Sequence, residues 1–271
     1  MPGPTILPIA ISSGSGPVED AFPLATELRV RHLELACQIP ANRPHLWDDQ
    51  RIERVRALSE THDVRCVLHS DSSVNSAETT PVVREAVLAH LLAYVDLAAR
   101  LGSPVLVVHA GYHFDVDTTE PLHMLARTLR EVALRAEDRG VVLALENMNV
   151  LPAEAEIRYL GCTAEEVAAI LDDTDSPALG SCLDIGHAHL LPGGIEEFTT
   201  RLAGRIVHVQ LTDNDGVHDQ HLTLGEGTLD IDAAMAELIA IGYDGPVAVE
   251  LAGERERRAS VHHLRACRGG T

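Results

Sequence analysis

Short apolar runs recur along the chain at regular intervals, and amphipathic stretches fill the gaps between them. The runs are "TILPIAI" (5–11), "HLELA" (32–36), "VRCVLH" (64–69), "PVLVVH" (104–109), "VVLALE" (141–146), "ALGSCLD" (178–184), "RIVHVQL" (205–211) and "PVAVEL" (246–251). Several are almost wholly aliphatic, as strands covered on both faces must be. The intervening pattern predicts helices over roughly 17–29, 48–60, 80–101, 120–139, 163–172, 195–203, 231–241 and 254–267. The clearest is "TTPVVREAVLAHLLAYVDLAARLG". Thr80 is placed to cap it, Pro81 suits its first turn, Gly102 suits its stop, and positions 83, 87, 91 and 95 form an apolar stripe.

Eight strands alternating with eight helices predict an α/β fold, a (β/α)8 TIM barrel. The 271 residues suit one such barrel, and no linker or low-complexity tract marks a second unit. A single TIM-barrel domain over 1–271 is expected. Chemistry in this fold sits at the C-terminal ends of the strands. Strands three to eight carry there, in order, His69, His109, Glu146, Asp184, His208 and Glu250. Six such residues on six successive strand ends is a coincidence of order one in a few hundred. The cluster, more than any member, is the signal.

Composition narrows what that cluster could act on. The formal charge of −20 argues against a nucleic-acid partner, because phosphate binding is dominated by Lys and Arg. Lysine is absent, and all 21 basic residues are Arg. Schiff-base chemistry and the P-loop lysine are thereby removed. Five cysteines (37, 66, 162, 182 and 267) are scattered with no CxxC pair, which fits a reducing, cytoplasmic setting. No apolar run reaches membrane-spanning length, and the first residues lack the basic stretch of a signal peptide.

Carboxylates and imidazoles converging on one point are what a divalent ion needs. Glu146, Asp184, His208 and Glu250 come from four successive strands and can surround a single ion. Each glutamate shares its strand face with a small residue two positions earlier, Ala144 and Ala248, so both should point inward with room below. Two carboxylates on opposite sides of a metal-held substrate could take a proton from one face of a carbon and return one to the other. Each residue also has a plainer reading. Asp184 alone reads as a helix cap, and His69 or His109 alone as a hydrogen-bonded barrel-end residue. His187, three residues past Asp184, reads equally as solvated or functional, and His189 as loop. Further along, Asp219 and His221 form a D-x-H pair before Gly-Glu-Gly. They read as a polar turn, or with His187 as a separate three-residue metal site. Glu34 and Trp47 are further candidate substrate contacts, Trp47 by ring stacking or, alternatively, by packing at a helix start.

At these residues the sequence resembles the xylose-isomerase-like TIM-barrel superfamily, in "LALEN", "CLDIGHAH", "HVQLTDNDG", "HLTLGEG" and "VAVEL". The resemblance implies either of two activities. In the sugar epimerase branch one Mn, Mg, Co or Zn ion is held by residues matching Glu146, Asp184, His208 and Glu250. The two glutamates move the proton there, and a residue matching His187 touches substrate. In the endonuclease IV branch three zinc ions are held. Residues matching His69, His109 and Glu146 take the first; Glu146, Asp184, His208 and Glu250 the second; and His187, Asp219 and His221 the third. Xylose isomerases proper use a lysine for hydride shift, which this chain lacks. The endonucleases need a basic rim, and this chain is acidic with a short loop after strand two. The expected function is a metal-dependent isomerase or epimerase acting on a sugar, sugar phosphate or polyol through Glu146 and Glu250, with one to three divalent ions per chain. The alternative is a multinuclear zinc phosphoester hydrolase of the endonuclease IV type. The expected partner is a small-molecule substrate, with room for a homo-oligomer.

Overall fold

The computed structural model describes residues 7–114 and 117–267. Eight parallel strands close into a barrel in the order β1-β10-β9-β8-β6-β4-β3-β2. They are β1 (Ile9–Ser12), β2 (His32–Ala36), β3 (Arg65–His69), β4 (Val105–His109), β6 (Val142–Glu146), β8 (Leu179–Asp184), β9 (Ile206–Leu211) and β10 (Val247–Val249). Each lies within one of the eight apolar runs or one residue beyond it; residues 5 and 6 of the first run fall outside the described residues. The helices are α1 (Ala21–Glu27), α2 (Asp49–His62), α3 (Pro81–Leu101), α4 (Thr119–Arg139), α5 (Ala164–Thr174), α6 (Ile185–His189), α7 (Gly194–Leu202), α8 (Ile231–Ala240) and α9 (Glu254–Cys267). The fold is the (β/α)8 TIM barrel. Among the described residues, no helix is long and apolar enough to cross a membrane.

Two layers of apolar packing follow from strand alternation. Outward residues such as Leu33, Leu68, Leu106, Leu143, Leu183, Val209 and Val249 pack with the helices into one large core. Inside the barrel Val67, Val107, Ala144 and Cys182 form a small separate cluster. Side chains above that plug face the strands' C-terminal mouth. The strand-end polar residues therefore sit on an apolar floor.

Local details depart from the sequence pattern in instructive ways. The α3 stripe lies at Val87, Leu91, Tyr94, Val95 and Ala98, while Val83 is 45% exposed. Thr80 occupies the cap position but its side chain makes no capping bond; its backbone oxygen accepts from Val83 N and Arg84 N instead. Pro81 and Gly102, at φ +72°, do what their types suggest. The expected 17–29 helix divides into a 3-10 turn at Val18–Asp20 and α1. A short antiparallel pair, β5 (Tyr112–His113) with β7 (Arg158–Tyr159), and the one-turn α6 carry too few residues to print a period.

Candidate metal centre

Asp184 ends β8 and caps α6: its Oδ1 accepts from His187 N at 2.7 Å. The cap reading and the ligand reading therefore coexist, since Oδ2 is buried and has no hydrogen-bond partner. The turn that Asp184 starts swings His187 back over the mouth. There His187 Nδ1 lies 3.6 Å from Glu146 Oε1 and 3.8 Å from Asp184 Oδ2. His189 closes the same turn and points away, to Thr228 Oγ1 at 2.9 Å.

His109 and Glu146 are register partners on β4 and β6, and His69 ends the neighbouring β3. Glu146 Oε2 lies 3.2 Å from His109 Nε2 and 3.3 Å from His69 Nε2. The two imidazole nitrogens are themselves 3.0 Å apart, with the rings stacked at 5.0 Å. His69 also turns Nδ1 towards Glu250 Oε1 at 3.3 Å and Glu34 Oε1 at 3.5 Å. On the far side His187 Nε2 meets Asp219 Oδ2 at 3.4 Å, and His221 Nε2 meets Asp219 Oδ1 at 3.4 Å.

Four groups thus bring donor atoms within 4.8 Å of one another: His69–His109–Glu146, Glu146–Asp184–His187, His187–Asp219–His221 and Glu34–His69–Glu250. Shared members join them into one continuous patch. Glu146 Oε2, Asp184 Oδ2, Asp219 Oδ1 and His109 Nδ1 are all buried without a hydrogen-bond partner. Buried charged oxygens rarely stay unpaired. Oxygen and nitrogen donors converging at contact distance, but out of hydrogen-bonding direction, fit a divalent cation.

Burial works against charge throughout this patch, and the partners decide the outcome. Burial opposes ionisation of Glu146, but His109 and His69 outweigh it and hold its carboxyl well below the usual range. Burial likewise opposes a charged His69, and the carboxylates of Glu250, Glu146 and Glu34 override it upward. His187 is raised against burial by Asp184, Asp219 and Glu146. The Asp219 carboxylate beside His221 lifts it to about 9. Asp184 and Glu250 move the other way: burial raises both, and neighbouring carboxylates add to it.

His208 is not brought into any of these groups. It pairs in register with Cys182, while Gln210 pairs with Asp184 after an irregularity between Ser181 and Cys182. The imidazole points under the mouth, and its Nε2 donates to Glu34 Oε2 at 2.7 Å. The expected quartet of Glu146, Asp184, His208 and Glu250 is therefore divided in this geometry. Glu34 faces the same interior rather than the opening. It accepts from His208 and, at 3.3 Å, from Gln210 Nε2. Burial pushes the Glu34 carboxyl up, but His208 and His69 outweigh it and draw it down to about 2. Trp47 takes the packing role: it is buried in the outer core, donates Nε1–H to Asn42 O at 2.7 Å, and lies under Arg51.

A family model described as xylose isomerase-like TIM barrel matches residues 24–267. The chain belongs to that family. An uncharacterised protein of Methanocaldococcus jannaschii is 33% identical over 222 residues, covering 79% of this chain and 74% of that one. Fructoselysine 3-epimerase of Shigella flexneri is 27% identical over 249 residues, 87% of this chain and 85% of the relative. A probable endonuclease 4 of Natronomonas pharaonis is 28% identical over 215 residues, 71% and 73%. Among solved structures, a D-tagatose 3-epimerase-like protein superposes with a TM-score of 0.87 at 29% identity, covering 97% of each chain.

Several residues that organise this xylose isomerase-like barrel had no separate signal in the sequence. Asn147 clamps β6 to β8: Oδ1 accepts from Asp184 N at 2.8 Å and Nδ2 donates to Asp184 O at 2.9 Å. Its backbone oxygen lies 2.8 Å from His187 Nδ1, which sets that ring. Asp213 shapes the loop that presents Asp219 and His221. Its two oxygens accept from the backbone N–H of Asn214, Gly225, Gly227 and Leu229 at 2.9–3.1 Å. The Gly-Glu-Gly segment is thus a turn, as its plainer reading had it. A Cβ at Gly227 would lie 2.3 Å from Asn214 O. The nearest sequence cue was the Asn after the strand-end Glu in "LALEN".

Proposed function

We propose that this chain is a metal-dependent isomerase or epimerase of a sugar or polyol that works by proton transfer between Glu146 and Glu250. The observation that carries the reading is the placement of these two carboxylates on opposite sides of His69. Glu146 Oε2 lies 3.3 Å from one ring nitrogen and Glu250 Oε1 3.3 Å from the other. The His69 ring holds the two carboxylates apart, so a flat substrate carbon seated above that ring can be approached by one carboxylate from each side. One carboxylate removes the proton beside the carbonyl, and the other returns a proton to the opposite face or to the neighbouring carbon. The residues positioned to hold a divalent ion are Glu146 and Asp184, with His187 beside them and His69 and His109 on the other flank. Such an ion would supply a Lewis acid there. His187, reaching over the mouth, is the substrate-orienting group. The similarity to fructoselysine 3-epimerase and to a D-tagatose 3-epimerase-like protein supports this substrate class.

The test is solvent exchange. The manganese-loaded protein, incubated with a ketose in deuterated water, should place deuterium on the carbon beside the carbonyl. Turnover without label would exclude proton transfer by these glutamates.

A second reading has one specific support. The four donor groups, His187–Asp219–His221 among them, exceed what a single-ion epimerase uses, and the probable endonuclease 4 similarity points the same way. In that reading up to three zinc ions drive phosphoester hydrolysis. The charge of −20 opposes it, since binding duplex DNA draws on released counterions. Metal content separates the two: one tightly held ion per chain favours the epimerase, three the hydrolase. Incision of an abasic duplex by the pure protein would decide for the hydrolase outright.

A further inference from the structure

Beside the donor cluster, the loops after β3 and β4 enclose a hollow of about 510 Å³. Its wall begins three residues beyond His109, with Tyr112, His113 and Phe114, and includes Glu78, Asp117 and Glu120. The chain between them is fixed: Asn75 Oδ1 accepts from Tyr112 N at 2.9 Å, and Gly111, at φ +97°, leaves the space that Asn75 fills. Three residues span at most about 11 Å, so a group extending from a substrate at His109 can reach the hollow.

We propose that this hollow is a second substrate subsite, and that it takes a protonated amine carried by the sugar. The proposal rests on the sugar-isomerase reading above and narrows its substrate class. Three observations point to a cation. Among the described residues the lining has three carboxylates and no arginine. Its aromatic pair is arranged edge to face, and Phe114 is 75% exposed, leaving ring surface open. An aromatic face beside carboxylates is the standard receptor for an ammonium group. Third, His113 is 93% buried (7% exposed), lines the same hollow, and its Nδ1 has no hydrogen-bond partner. An imidazole nitrogen there can accept an ammonium N–H.

The acidic side chains also have a local job that must be weighed. Glu78 Oε1 accepts from Thr80 N at 2.7 Å and Asp117 Oδ1 from Thr119 N at 2.9 Å, at the starts of α3 and α4. Each helix start carries about half a positive charge. Two of them offset about one of the three carboxylate charges, so the hollow stays net negative. Each of these two side chains keeps its second oxygen for a ligand. The same sign rejects a phosphorylated sugar at this position.

The test uses the manganese-loaded full chain and a matched pair of ligands. One is D-fructose whose carbon-1 oxygen carries a 3-aminopropyl chain, so that the ammonium stands clear of the sugar, and the other is the butyl ether, with methyl in place of the ammonium. Calorimetry measures binding, and solvent-deuterium uptake is followed in parallel with D-fructose. The amine is expected to bind about tenfold more tightly than the ether. Both Glu120→Gln and Phe114→Ala should shrink that ratio towards one. Equal binding of amine and ether, or a preference that survives both substitutions, overturns the subsite even where D-fructose takes up deuterium. An amine preference lost in both variants supports the subsite even where no sugar takes up deuterium, in which case only the isomerase reading fails.

Discussion

Glu34 and His208 form a buried hydrogen bond 2.7 Å long between strands far apart in sequence, each residue 1% exposed. The pair closes the floor of the mouth. Glu34 also receives Gln210 and stands 3.5 Å from His69, so its charge steadies the imidazole between the two glutamates.

Removing one member of that pair leaves the other buried and uncompensated. Glu34→Ala or His208→Ala should destabilise the protein by about 1.5–3 kcal/mol, read as a lower urea midpoint. Because His208 lies outside the donor groups, His208→Ala should keep its metal content, whereas His109→Ala should lower it. Equal metal loss in both would return His208 to the ligand set.

Glu146→Gln and Glu250→Gln should each cut turnover by about 10²–10⁴, the usual worth of a positioned general base. Gln keeps the shape and an oxygen donor but cannot take up the proton. Circular dichroism should show both variants folded. A variant that still incorporates solvent deuterium at the wild-type rate would remove that glutamate from the proton path.

In the metal-free protein the imidazoles of His69 and His187 are raised well above their ordinary value, and His221 to about 9. A folded value above the unfolded one of about 6.5 contributes stability in full below that pH. The contribution is lost as pH rises through the folded value. The urea midpoint of chelator-treated protein should therefore fall as pH rises from about 6.5 through about 9, and His221→Gln should flatten part of that fall. Metal must displace the same protons, so binding near neutral pH should release them. Calorimetry in buffers of different ionisation enthalpy would detect this; no buffer dependence would contradict it.

Asp213 accepts four backbone N–H groups, and hydrogen bonds to a charged acceptor are worth more than neutral ones. Asp213→Ala should cost at least about 3 kcal/mol and speed amide exchange across residues 213–229. Gly227→Ala should do the same by pushing Asn214 O away. Both should loosen the Asp219–His221 side of the patch while leaving His69 and His109 in place, an outcome that metal titration would check.

Barrel and mouth were legible in the residue pattern because they follow from short-range rules. Aliphatic runs such as "PVLVVH" and "VVLALE" can be satisfied only as strands covered on both faces, and parallel strands oblige a helix between each pair. Once the barrel is implied, Glu146, Asp184, His69 and His109 must arrive at one rim, since every strand ends there. The separation of His208 from Gln210 was not legible. Strand alternation places both inward, and only the β8–β9 register decides which stands beside Asp184. That register is set by packing across strands, to which a single strand's sequence is blind. The fates of Glu34 and Trp47 were hidden for the same reason. Their types allow a substrate contact, but their partners, His208 at a sequence distance of 174 and Asn42 in a neighbouring turn, exist only once the chain has closed on itself.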